Sequence, residues 1–254
     1  MSDDRLKTAI DRTIQHVESL RAAGVTHLDV SPETLEALAR PVKPVRIQTA
    51  NRGAGDPAKL LDELRKKAAV CVKCRELADT RTQVVFGVGN PRAELMFIGE
   101  APGADEDIQG EPFVGRAGQL LTKIIKAMRY ERSDIYIANV LKCRPPDNRQ
   151  PAPQEEENCL PYLVAQVEII KPKAIVALGA VAMKALLGMK IGIMKLRGNW
   201  YEYKGIPLMP TYHPAYLLRN QSLTEKRKVW EDMLKVLEKL GRPITERQRN
   251  FFKT

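Results

Sequence analysis

Residues 93–103 read AELMFIGEAPG, and this stretch decides the fold. Its first seven residues are a short apolar run ending at Gly99, the pattern of a strand buried on both faces. A Gly- and Pro-bearing turn follows, Gly99-Glu100-Ala101-Pro102-Gly103, with no second alternating strand. Three further runs look alike: 135–141 (IYIANVL), 174–178 (AIVAL, closed by Gly179) and 206–211. Helical patterns lie before, between and after them, at 59–70, 119–128, 154–170, 180–187 and 223–240. Strands alternating with helices predict an α/β fold. Its expected form is a three-layer α/β/α sandwich around a central, mainly parallel four-stranded sheet, joined by right-handed crossovers.

In open sheets of this kind ligands bind beyond the carboxyl ends of the strands. The first strand runs into Glu100 and Ala101, the second carries Asn139, the third ends in Gly179 and the fourth runs into Tyr212-His213-Pro214. Each feature alone has an ordinary structural reading: a tight turn, a capping amide, a structural imidazole. Their meeting at one sheet edge makes them candidates. The turn is not a phosphate loop, because it lacks Gly-Lys-Ser/Thr, and it is not a G-x-G-x-x-G dinucleotide fingerprint. The carboxylates Asp105-Glu106-Asp107 follow it, and then Phe113 stands between Gly110 and Gly115.

The chain has only four cysteines. Cys71 and Cys74 form a C-x2-C pair, and fifteen residues separate Cys143 from Cys159. One short thiolate knuckle and two distant thiolates can hold one four-coordinate centre. Spacing alone leaves an iron–sulfur cluster and zinc both open. Disulfides are the weaker reading, since no secretory signal precedes them.

Lys and Arg number 41 against 31 Asp and Glu, a net charge of +10 that favours polyanionic partners, nucleic acid first. No apolar run approaches the about 18 residues of a membrane span. A cytoplasmic, nucleoid-associated monomer is expected. Residues 4–23 and 32–40 have helical patterning, and 41–57 (PVKPVRIQTANRGAGDP) have the composition of a basic, flexible linker. Residues 1–57 are therefore expected to be an appendage, and the candidate docking segment for a replication or repair partner. The main domain is expected over 58–254.

Taken together, GEAPG with its following ED, EPFVGRAGQLL, IANVLKCRPPDNRQP, ALGAVA and KLRGNWYEYKGIPLMPTYHPAYLLRN resemble the family 4 uracil-DNA glycosylases over about residues 69–240. The resemblance implies a [4Fe–4S] cluster on Cys71, Cys74, Cys143 and Cys159. It implies uracil-containing single- and double-stranded DNA as substrate. Phe113 would stack on an extruded uracil, with the main chain of Glu100 and Ala101 lining the pocket. Asn139 would match uracil N3–H and O4, since an amide offers one donor and one acceptor. His213 would donate to O2, where charge grows as the glycosidic bond breaks. Leu217, four residues on, would be the apolar wedge entering the duplex. Lys142, Arg144, Arg197 and Arg219 flank these positions as candidate phosphate ligands.

One departure matters. The best-known uracil glycosylases place a water-positioning Asp where Ala101 stands here. Glu100 or Glu106 is expected to supply the carboxylate, Glu100 first, unless both only brace the loop. A related branch carries a catalytic His in a basic insertion, but residues 103–116 contain neither, so ordinary turnover is expected. The alternative functions are a non-catalytic iron–sulfur DNA-binding or electron-transfer protein, and a zinc-stabilised nucleotide-binding module.

Overall fold

The computed structural model describes residues 55–189 and 191–253. The helical patterns at 4–23 and 32–40, and the linker up to residue 54, lie outside the described residues. Asp56 caps the first helix by accepting from the Ala58 amide at 3.3 Å, and Pro57 occupies its first turn. Helix therefore begins within the last residues of the expected linker.

The described elements run in chain order as follows. Helices α1 (Pro57–Ala69) and α2 (Arg75–Thr80) flank the first two cysteines. Strands β1 (Val88–Gly89) and β2 (Leu95–Gly99) lead to helices α3 (Ala104–Gln109) and α4 (Arg116–Ala127). Strand β3 (Tyr136–Asn139) and a 3-10 turn (Pro146–Asn148) precede the long helix α5 (Pro153–Ile170). Strand β4 (Ala174–Leu178) is followed by α6 (Ala180–Leu187) and the single turn α7 (Ile193–Leu196). A hairpin of β5 (Tyr201–Tyr203) and β6 (Ile206–Thr211) leads into α8 (Pro214–Arg219), α9 (Leu223–Lys239) and α10 (Glu246–Asn250).

The sheet has six strands in the order β1-β3-β2-β4-β6-β5. Its four central strands are those read from the sequence, and they are mutually parallel. The difference from the four-stranded expectation is one short antiparallel strand at each edge. These edge strands have two and three residues, too short to carry a periodicity. Short edges also offer little template for unwanted pairing.

Alternate residues of the central strands enter opposite cores, as the period of two requires. Met96, Ile98, Ala138, Ile175 and Ala177 pack with Leu61 of α1, Leu163 and Val167 of α5 and Met183 of α6. Leu95, Phe97, Ile137, Ala174 and Val176 pack with Leu121 and Ile125 of α4 and Trp230 and Met233 of α9. Helices thus cover both faces, giving the three layers. Among the described residues no helix is long and apolar enough to cross a membrane.

A buried ion pair ties α9 to the end of β6. Asp232 accepts from Thr211 Oγ1 at 2.6 Å and from Arg197 Nε at 3.1 Å, and Arg197 also donates to the Lys228 carbonyl at 2.6 Å. The Tyr212 ring lies 5.6 Å from the guanidinium. This corrects the expectation for Arg197. Its Nε and Nη2 donate inside the fold beside a buried carboxylate, so it serves as a cross-brace and not a phosphate ligand.

Candidate functional site

The strand order reverses between β2 and β4, which opens a crevice at their carboxyl ends. Register brings the candidates to it. Gly99 of β2 stands opposite Asn139 of β3, and Leu178 of β4 opposite Thr211 of β6. The Gly179 amide donates to the Thr211 carbonyl at 2.9 Å, fixing the point from which the chain runs to His213. A cleft of about 380 Å³ results, lined by Glu100, Ala101, Phe113, Asn139 and His213 together with Glu106, Pro145, Asn148, Arg149 and Arg219.

Asn139 is buried, and its side-chain Oδ1 has no hydrogen-bond partner. Such an atom costs free energy unless something pairs with it. Its neighbour across the register is a glycine for a steric reason. A Cβ at Gly99 would lie 2.4 Å from Asn139 Oδ1 and 2.5 Å from Phe113 Cζ. The missing side chain is what lets the amide and the ring share one place. Phe113 holds a left-handed backbone conformation, φ 55°, unusual for a residue with a Cβ.

His213 caps α8. Its Nδ1 accepts from the Ala215 amide at 3.1 Å, while Pro214 presets the first turn. Accepting that bond requires a bare Nδ1, so the neutral ring carries its proton on Nε2. Burial first, and the charge of Arg219 second, push the imidazole down to about 4, against the opposing pull of Glu106. The ring is neutral at pH 7 and keeps Nε2–H as its one donor. Its centroid lies 5.5 Å from that of Phe113.

The two carboxylates separate. Glu106 Oε1 accepts from the Val114 and Gly115 amides, each at 3.0 Å, and Oε2 from the Gly103 amide at 3.1 Å. Both carboxylate oxygens are thus turned onto the backbone of the loop. The expectation of a catalytic Glu106 is therefore corrected to a loop brace. Glu100 lines the same cleft, and burial, then the charge of Glu156, raise its carboxyl above the ordinary range.

The candidate phosphate ligands divide as well. Lys142 is only 1% exposed and donates to the Asn139 carbonyl at 2.8 Å and to Gln166 Oε1 at 2.6 Å. Burial excludes it from any phosphate, which corrects that expectation. Arg144 donates to Asn148 Oδ1 at 2.9 Å beside the cleft, and Arg219 lines it. Arg149, which the sequence reading passed over, lines it too, clamped by Glu155 and Glu76. Charge in a run of loop residues carried no signal that could single it out.

Leu217 is only 4% exposed and packs with Tyr212 and Val229. On the helix, Ala215, Leu218 and Arg219 fall on one side, and Leu217 lies opposite. Ala215 and Arg219 line the cleft, so Leu217 faces away from it. The wedge expectation for Leu217 is corrected, and the half-buried Leu218 shares the helix side of Ala215 and Arg219.

None of the four cysteines is paired in a disulfide, and all four line one small cavity of about 20 Å³ with Arg81 and Asn158. Cys143 Sγ accepts from Arg81 Nη1 at 3.0 Å, Cys159 Sγ from the Lys142 amide at 3.1 Å and Cys74 Sγ from Asn158 Nδ2 at 3.5 Å. Burial pushes the Cys143 thiol up and the Cys159 thiol up to about 11, and the Arg81 and Lys142 donors oppose it. Among the described residues no three His, Cys, Asp or Glu side chains are set to hold a single metal ion. The four sulfurs nonetheless line one space, as the ligands of one shared centre would.

The model of the uracil DNA glycosylase superfamily matches residues 86–234. The chain is 47% identical over 178 residues to the type-4 uracil-DNA glycosylase of Thermotoga maritima, covering 69% of this chain and 92% of that protein. The type-4 enzyme of Archaeoglobus fulgidus is 43% identical over 190 residues, 72% of this chain and 94% of the relative. A type-5 uracil-DNA glycosylase of Pyrobaculum aerophilum is 29% identical over 189 residues, 61% of this chain and 83% of the relative. With a sheet whose strand ends converge on one cleft, and four cysteines gathered beside it, the chain belongs to the uracil DNA glycosylase superfamily and, within it, to the type-4 enzymes.

Proposed function

We propose that the cleft receives a uracil flipped out of DNA and that the chain hydrolyses its bond to deoxyribose. Uracil arises in DNA by deamination of cytosine, so this excision begins the repair of that damage. One observation carries the reading to these residues: the unpartnered Oδ1 of buried Asn139, in a cleft walled by Phe113 and His213. The amide offers uracil an acceptor for N3–H and a donor for O4. Cytosine presents the opposite pattern, and admitting it would leave buried groups unpaired. Phe113 supplies an apolar face for stacking.

As the C1′–N1 bond breaks, its electron pair leaves with uracil and negative charge spreads to O2. His213 Nε2–H donates there, and its neutrality matters, because a ring already fixed as a donor needs no reorganisation. Water adds at C1′, giving free uracil and an abasic deoxyribose. Glu100 takes the water proton, a role suited to its raised carboxyl. Uracil regains a proton at N1 from solvent. Arg219, Arg144 and Arg149 face the phosphates around the flipped nucleotide. Both single- and double-stranded DNA serve as substrate, and the protein acts as a monomer associated with the nucleoid. Residues 1–57 remain the candidate docking segment for a repair or replication partner.

The four cysteines would hold a [4Fe–4S] cluster. The relatives that carry the type-4 name support this reading over zinc, which the same four thiolates could also bind. Bound there, the cluster supplies a cross-link between the segment joining α1 to α2, the turn after β3 and the start of α5. The protein purified without oxygen should be coloured and contain about four irons per chain. A colourless protein with stoichiometric zinc would refute the cluster.

His213→Ala should slow single-turnover release of uracil by roughly 10²–10³ while DNA binding persists. A loss located wholly in DNA affinity would contradict the role. The ring itself should titrate near 4, well below the ordinary value of about 6.5. Between those values the unfolded chain binds a proton that the folded one refuses, so stability through this group falls as pH drops below about 6.5 and is complete above it. Proton NMR of His213 at pH 6 checks this: a neutral ring is expected, and a half-protonated one would contradict the burial.

Leu217→Ala should lower stability by about 2–5 kcal/mol and slow all DNA substrates alike, as a core truncation does. Leu218→Ala should slow excision from U:A duplex most, from U:G less and from single strands least, because only a paired base must be prised out. Rates on the three oligonucleotides with a melting curve for each variant decide it. The reverse assignment of the two leucines would restore the wedge to Leu217.

A further inference from the structure

We propose that Arg132 is a positioning residue for Phe113, holding the ring where a flipped base stacks. The inference rests on the reading of the cleft as a uracil pocket. Arg132 lies between α4 and β3 and does not itself line the cleft. Its Nη2 donates to the Pro112 carbonyl at 2.8 Å, and its Nη1 to the Phe113 carbonyl at 3.1 Å and to Thr122 Oγ1 at 3.2 Å. One guanidinium thus grips two successive carbonyls and anchors them to α4.

Phe113 needs that grip. Its left-handed backbone, φ 55°, persists only where the surroundings over-determine it. Arg132 holds the carbonyls at 112 and 113, and Glu106 holds the amides at 114 and 115. The two opposite charges clamp the loop from its two polar sides. Beneath it, Gly118 lets α4 approach, since a Cβ there would lie 1.9 Å from the Phe113 carbonyl carbon and oxygen. A lysine could not replace the guanidinium, because only a planar fork reaches adjacent carbonyls and the hydroxyl together. With these donors occupied inward, Arg132 is not arranged to bind phosphate.

The test is a double-mutant cycle of Arg132→Met and Phe113→Ala, read as single-turnover uracil release from a single-stranded oligonucleotide. Arg132→Met should slow release roughly ten- to a hundredfold, the scale of a displaced contact group. The double variant should be no slower than Phe113→Ala alone, since the ring that Arg132 positions is already gone. Losses that multiply in full, or wild-type rates in Phe113→Ala, would overturn the proposal. Arg132→Lys should fall between wild type and Arg132→Met, and it takes the place of Arg132→Met if that variant does not fold. A crystal structure of the variant gives a readout independent of activity. Phe113 is expected to leave its left-handed conformation, and its retention there would overturn the proposal. Absence of uracil release by the unaltered protein would instead sink the functional reading.

Discussion

The pairing of Gly99 with Asn139 across two parallel strands is the constraint on which the site is built. Parallel register puts the last residue of each strand at the same edge, so motifs 40 residues apart meet without any loop having to bend back. The glycine then removes the one side chain that would separate the amide from the ring. The Val140 amide donates to the Gly99 carbonyl and the Leu141 amide to the Glu100 carbonyl, at 2.9 and 3.0 Å, so the pairing continues past the strand ends and sets the cleft floor. Rigid strands of this kind hold reacting groups more precisely than free loops do.

The same continuation joins the cleft to the cysteine cavity. Beyond Asn139 the chain supplies buried Lys142, then Cys143, then Pro145 and Asn148 of the cleft wall, within ten residues. Lys142 ties its ammonium to the Asn139 carbonyl and its amide to Cys159 Sγ. Gln166 of α5 extends the network to the Phe86 carbonyl and the Tyr136 hydroxyl, at 2.9 and 3.1 Å. A buried polar network with every member bonded rigidifies its surroundings. A cross-link at the four cysteines would therefore act on the placement of Asn139 and of the 145–149 wall, without touching the base.

Much of this was legible in the sequence. The four central strands are apolar runs long enough to show themselves, and their ends carry Glu100, Asn139, Gly179 and His213 in plain view. What escaped is of three kinds. The edge strands are too short for a periodicity. Side-chain direction on α8 is invisible without its packing, so Leu217, at the expected spacing from His213, was read outward when Tyr212 and Val229 draw it inward. Charge is the third. Lys142 and Arg197 are expected to bind phosphate and Arg132 and Arg149 carry no signal of their own, yet the fold buries the first, pairs the second with Asp232, turns Arg132 onto loop carbonyls and sets Arg149, held by Glu155, in the cleft wall. Glu106 went the same way, its oxygens filled by amides that only the folded loop presents.

Gly99→Ala puts one methyl group where Asn139 Oδ1 and the Phe113 ring now converge, in a strand whose backbone tolerates alanine. Single-turnover release of uracil from a single-stranded oligonucleotide, measured beside the melting curve and iron content, reads its effect. Loss of release on the order of a hundredfold or more, with fold and iron retained, is the expected result. Release at the wild-type rate would contradict a pocket made by the meeting of these two strand ends.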